Sequence, residues 1–261
     1  VADDFNMDPE LVEAAITERT KAIIPVHLNG RVCDMSALGD IASRRGLHIV
    51  EDSAQAIGAS RGGGRAGSFG VLSTNSFYPF KILGCFGDGG MITTSDGTLD
   101  AQLRCLRDNG QNRATGEILY WGWNSRLDNL QAAILTQMLE RLPGVIERRR
   151  EIAERYHSRL RGVGDVQVPD YGEGEHHDAY QNYVIRTTDR DALVEHLDGC
   201  NVGTLISWPK PTHFHEKLQL QRFSLPNTEA ISREVVSLPM HPALEDAEVD
   251  YVADCVRQHF A

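Results

Sequence analysis

The sequence predicts an α/β fold: a mainly parallel sheet flanked by helices, followed by a smaller C-terminal α+β part. Three observations predict it. Residues 22–26 (AIIPV) and 47–51 (LHIVE) are short, apolar and β-branched, as expected of strands buried on both faces. Between them lies a stretch with helical spacing, so the order is strand, helix, strand, which closes most readily as a parallel pair with a helix across it. From Arg126 onward, long helical stripes replace the alternation and separate it from a second, smaller set of elements.

The first helix starts at Asp34, whose side chain suits an N-cap. Met35, Leu38, Ile41 and Ala42 form one apolar face, and Gly46 stops the helix. The second strand ends on Asp52, at the carboxyl end of the sheet where ligands of such folds sit. Residues 71–78 and 91–94 read as further strands joined by the loop 79–90. Leu127, Leu130, Ile134, Met138 and Leu142 share one helical stripe. Pro143-Gly144 is expected to interrupt it, before a second helix carrying Val145, Ile152, Tyr156 and Leu160. A polar, glycine-containing connection covers 162–174. A strand near 182–187, a helix after Asp189, a Pro- and His-containing stretch at 208–215, and helices near 229–236 and 246–260 complete the chain. Two units are expected, 1–148 and 149–261.

Composition excludes several classes. Of 261 residues 41% are hydrophobic and 24% charged, as in ordinary globular proteins, and the net charge of -11 argues against nucleic-acid or anionic-membrane partners. No apolar run approaches a membrane span. Five scattered cysteines without a C-x-x-C pair suggest reduced thiols in the cytoplasm rather than disulfides or zinc. The start at VADDF, without Met, suggests a fragment of a longer protein.

Some motifs mislead. Gly62, Gly64 and Gly67 satisfy G-x-G-x-x-G, yet a strand rather than a helix follows, so a glycine-rich hairpin is expected instead of a dinucleotide site. His176, His177, His213 and His215 lack the converging partners of a metal centre, and no metal is expected. Lys81 alone would read as a surface lysine, and Asp52 alone as a helix cap. The context differs: Lys81 lies in a loop dense in Gly and aromatic residues, and Gly87-Asp88-Gly89-Gly90 lets backbone approach a ligand closely.

Six ordered segments carry a resemblance. They are Ile24-Pro25-Val26-His27-Leu28, Glu51-Asp52-Ser53-Ala54-Gln55-Ala56, Ser76-Phe77-Tyr78-Pro79-Phe80-Lys81-Ile82-Leu83-Gly84, Asn124-Ser125-Arg126-Leu127-Asp128, Leu130-Gln131-Ala132-Ala133 and Ser237-Leu238-Pro239-Met240-His241-Pro242. Through nearly the whole chain the sequence resembles the DegT/DnrJ/EryC1/StrS family of sugar aminotransferases, within fold type I of the pyridoxal 5'-phosphate (PLP) enzymes. The resemblance implies that Lys81 binds PLP as a Schiff base and then moves the proton between substrate and cofactor. It implies that Asp52 pairs with the pyridine nitrogen, Gln55 holds the ring or its phenolic oxygen, and Ser76 contacts the phosphate. Asn124 would reach the cofactor of a neighbouring subunit, which implies a homodimer with shared sites.

His27, Arg126 and His213 are candidate substrate contacts, weighed equally against a buried packing histidine, a helix-start ion pair and a surface histidine. The sugar-dehydrating relatives carry His in place of Lys81, so amino transfer is implied. The residues around Lys81 look most like members that aminate C3 of a 3-keto nucleotide sugar, with glutamate as donor; a 4-keto sugar is the alternative. A non-catalytic PLP- or sugar-nucleotide-binding protein, or an inactive fragment, is the alternative of another class. Asn29 stands where the family has tyrosine, and Phe80 and Ile82 replace commoner flanking residues. Family members also have a region before the Asp8-Pro9-Glu10 stretch, supplying a phosphate contact and a ring-stacking aromatic, expected here to lie outside the chain.

Overall fold

The computed structural model describes residues 1–170 and 174–261; 171–173, within the expected 162–174 connection, lie outside the described residues. In chain order the elements are α1 (Pro9–Ala15), β1 (Ala22–Ile23), α2 (Met35–Arg45), β2 (His48–Asp52), β3 (Ser60–Arg61), β4 (Gly64–Arg65), β5 (Leu72–Ser76), β6 (Gly90–Thr93), α3 (Gly97–Leu106) and α4 (Asn129–Leu160). There follow β7 (His176–His177), β8 (Tyr183–Arg186), α5 (Arg190–Gly199), α6 (Pro226–Glu234), β9 (Val235–Leu238) and α7 (Asp246–His259).

The main sheet has the order β1-β2-β5-β6, with β1, β2 and β5 parallel and β6 antiparallel at one edge. The first strand is shorter than 22–26. Its register against β2 nevertheless continues, because Val26 still faces Asp52. Pro25 has no N–H, so the ladder thins there while its carbonyl still accepts from Asp52 N at 2.9 Å. α2 behaves as its sequence requires. Asp34 accepts from Ala37 N at 3.0 Å, and Gly46 closes the helix in the left-handed region at φ 62.

The Gly62-x-Gly64 segment is the turn of the β3–β4 hairpin, with Gly62 and Gly63 at φ 57 and 82. Both central residues of such a tight turn need positive φ, which explains the glycines without a nucleotide. The expected interruption at Pro143 is overturned: α4 runs unbroken through it. A proline forfeits the bond to the carbonyl four residues earlier, but that residue, Leu139, is 53% exposed, so water can meet the carbonyl.

Two apolar cores form. One gathers α2, β2, the lysine loop and the first half of α4, from Ile23 to Ile146, with Ala179. The other gathers the second half of α4 with α5, α7 and the β8–β9 pair, from Ile152 to Val256. β9 was unforeseen, since 235–238 continues the helical spacing of α6; its pairing with β8 buries all four residues, and that burial decides the conformation.

Candidate active site

Asp52 is the last residue of β2 and is pinned on both sides of its backbone. Its N–H donates to Pro25 O, and its carbonyl accepts from His27 N at 3.0 Å. One carboxylate oxygen accepts from Ala54 N at 3.1 Å, starting the turn that carries Gln55. Lys81 projects from a compact loop in which its N–H donates to Tyr78 O at 2.8 Å and Cys85 N to Phe77 O at 2.7 Å. Gly84 makes that loop possible: a Cβ there would lie 2.6 Å from Pro79 O.

Asp52, Gln55 and Lys81 line one cavity of about 720 Å³, together with Val26, Leu28 and Trp208. Burial holds the Lys81 amine below the ordinary lysine value, with the Asp52 carboxylate pulling partly the other way. An amine in that state is nearer to being a free nucleophile and proton acceptor than a solvated lysine. The donor set fits PLP: an amine for its carbonyl, a carboxylate for its pyridine nitrogen, a carboxamide beside the ring, in a space of drug-ligand size.

Adjacent in sequence to the cavity-lining Val26, Leu28 and Asp52 is a buried pair, His27 with Glu51, of which only His27 has a role expected from the sequence. Glu51 has no exposure and accepts from Gly67 N at 2.7 Å, from Phe69 N at 2.7 Å and from Gly70 N at 2.6 Å. Its fourth partner is His27 Nε2 at 2.9 Å, while His27 Nδ1 accepts from Cys33 N at 3.2 Å. A ring nitrogen that accepts carries no hydrogen, so the neutral His27 ring donates from Nε2. Burial raises the Glu51 pKa, but His27 and the three N–H groups outweigh it and hold the carboxyl below the ordinary value. The expectation that His27 faces a substrate therefore does not hold, because its ring is sealed and both nitrogens are engaged. An acid closing an apolar strand, with a histidine on the neighbouring one, was the available signal.

The other expected residues lie apart from this cavity. Ser76 ends β5, opposite Gly90, and its hydroxyl accepts from Tyr78 N at 3.2 Å. Asn124 sits exposed on the segment joining α3 to α4, accepting from Arg126 Nε at 3.3 Å. Arg126 pairs with Asp108 at 3.3 Å just before α4, and this ion pair, not a cavity contact, is what the structure gives it. His213 is 4% exposed and engages Glu229 Oε1 at 3.0 Å, and its neighbours Pro211 and Thr212, with Trp208 and Lys210, border a second, adjoining cavity of about 200 Å³.

The model of the DegT/DnrJ/EryC1/StrS aminotransferase family matches residues 1–257. The chain belongs to that family. With that family come fold type I, dependence on PLP and sugar aminotransferase activity. A dTDP-3-amino-3,4,6-trideoxy-alpha-D-glucose transaminase of Micromonospora megalomicea subsp. nigra is 43% identical over 98% of this chain and 70% of its own length. A UDP-2-acetamido-2-deoxy-3-oxo-D-glucuronate aminotransferase of Pseudomonas aeruginosa is 39% identical over 95% of this chain and 68% of its own. Among solved structures, S. venezuelae DesV superposes with a TM-score of 0.92 at 42% identity, covering 97% of this chain and 68% of that one. Among the described residues no cluster of His, Cys, Asp or Glu has the make-up of a metal site, and no helix is long and apolar enough to cross a membrane.

Proposed function

We propose that this family member transfers an amino group from glutamate to the C3 keto group of a nucleotide-linked deoxysugar, with Lys81 as the catalytic residue. The observation that carries the reading is the convergence of Lys81, Asp52 and Gln55 on one cavity, with the Lys81 amine pushed toward its neutral form by burial. The C3 preference rests on the relatives, whose names specify 3-amino and 3-oxo sugars.

In this reading Lys81 would hold PLP covalently, and its amine, once released by the donor, would carry the proton between the substrate carbon and the cofactor carbon, in one direction with the donor and in the other with the keto sugar. When bound, PLP supplies a carbonyl for amines and a ring that accepts the electron pair left by that proton. The Asp52 carboxylate accepts from the ring nitrogen and keeps it protonated. The Gln55 carboxamide orients the ring, and the Ser76 hydroxyl donates to the phosphate. Asn124 reaches the phosphate site of a second copy. Exposed Trp121 (100%), Phe86 (80%) and Trp123 (68%), close in sequence to Asn124 and Lys81, supply the apolar surface that a homodimer with shared sites would cover. We read residues 1–148 as the PLP-binding unit and 149–261 as the small unit, a division supported by the two cores. Five free cysteines support a cytoplasmic setting.

The test adds PLP, records the absorption spectrum, reduces with borohydride and maps the modified peptide. Label at Lys81 is expected, and its absence sinks the reading. Glutamate with 3-keto and 4-keto nucleotide sugars then separates the alternatives, with the aminated carbon assigned by NMR. Label without turnover would favour a binding protein over an enzyme.

A further inference from the structure

A lysine that exchanges covalent partners and carries a proton needs a mobile arm on a fixed base. The base here is a loop without regular structure, so what fixes it must come from elsewhere. One side chain does so. Gln181, 9% exposed and about a hundred residues downstream, donates from Nε2 to Phe80 O at 2.7 Å and accepts at Oε1 from Ile82 N at 3.1 Å. These two groups belong to the two peptide units on either side of the Lys81 Cα. The first of those units is also tied through Lys81 N to Tyr78 O. A single carboxamide thus restrains both backbone torsions of Lys81 and leaves its four-carbon arm free.

Gln181 is itself held. Arg149, buried and pushed down to about 10 by that burial, donates from Nη1 to Tyr180 O at 2.9 Å, Gln181 O at 3.3 Å and Met240 O at 3.2 Å. Tyr180 takes the left-handed region at φ 49, which turns the chain so that the next side chain meets the loop. The following residue reaches toward Gln55 through Asn29. Asn182 Nδ2 donates to Asn29 Oδ1 at 3.2 Å, and Asn29 N donates to Gln55 Oε1 at 2.8 Å. The lead-in to β8 therefore touches the Lys81 loop with one residue and is linked to Gln55 through Asn29 by the next.

We infer that Gln181 is the positioning residue for Lys81, gripping the peptide units on both sides of it from the C-terminal half of the chain. The inference rests on the assignment of Lys81 as the PLP lysine. It predicts that the lysine is aimed only while the lead-in to β8 is docked against its loop.

The test compares Gln181→Leu and Gln181→Glu with the wild-type protein, by PLP titration, by the pH dependence of the Lys81-bound absorption band and by single-turnover rates with glutamate. At neutral pH both variants are expected to lose about tenfold or more in PLP affinity and transfer rate, with the donor KM little changed. Gln181→Glu recovers on acidification, because a carboxylic acid restores one donor and one acceptor at the same places; Gln181→Leu does not. A leucine variant that melts earlier yet keeps wild-type PLP affinity, band and rate overturns the inference, as does a glutamate variant whose pH profile follows that of the leucine one. If Gln181→Leu does not fold, the glutamate profile alone decides. If the wild-type protein is not labelled at Lys81, the underlying assignment fails instead.

Discussion

Glu51 shows what a single buried carboxylate does next in sequence to the cavity-lining Asp52. Four donors converge on it, three from the 67–70 segment and one from His27, so it ties that segment and the continuation of β1 to the end of β2 that presents Asp52. Glu51→Gln replaces an accepting atom with a donor facing another donor, and is expected to cost about 3–5 kcal/mol, measured by urea unfolding at neutral pH. A loss within about 0.5 kcal/mol would contradict this account. The pH dependence follows from the direction of the shift. A carboxyl held below 4.5 in the folded protein contributes stability that is fully present above 4.5 and is lost as pH falls below it. That acid-dependent component should vanish in Glu51→Gln. At this scale the sequence singled out Lys81, Asp52 and Gln55, which the fold brings to one cavity, but not Glu51 or Gln181, whose carboxyl and carboxamide have ordinary neighbours in the chain. Their meaning comes from partners 16 to 101 positions away.

At the scale of elements, α4 carries the clearest tension between local preference and tertiary context. Pro143 breaks a helix in isolation, yet this helix is held along its length by both cores: Leu135, Leu142 and Ile146 face one, Ile152, Tyr156 and Leu160 the other. Packing outweighs the local cost. Pro143→Ala should restore the missing bond and raise stability by about 1–2 kcal/mol, after allowing for the greater freedom of the unfolded chain. Thermal unfolding measures it, and an unchanged or lower midpoint would show that the proline costs nothing in place. α2 gives the opposite lesson: its start and stop were readable because Asp34 and Gly46 act on backbone within a few residues of themselves. β9 was not readable, because a short strand depends on the partner that pairs with it.

At the scale of the whole molecule, the proposed shared site has a direct consequence. Lys81→Ala and Asn124→Ala would each disable a different face of the interface. Mixed after dissociation and reassociation, half of the dimers are hybrids with one of two sites intact, so about a quarter of wild-type transfer should return. Neither variant alone would show it. No recovery, with hybrids verified by mass, would assign Asn124 to its own subunit's chemistry or to none. The exposed position of Asn124, on a segment with a fully exposed Trp121, motivates this experiment.

The sequence by itself determined the alternation of strand and helix, the family and an aspartate at the strand end, and it supplied the proposal of Lys81 as the PLP lysine. These are properties written in local runs and ordered motifs. Tertiary structure alone decided that His27 is sealed against Glu51, that His213 turns to Glu229, that α4 passes through Pro143, and that Gln181 grips the backbone around Lys81. The physical reason is the same in each case. A buried polar group takes the partner that the fold brings within about 3 Å, and that partner can lie anywhere in the chain.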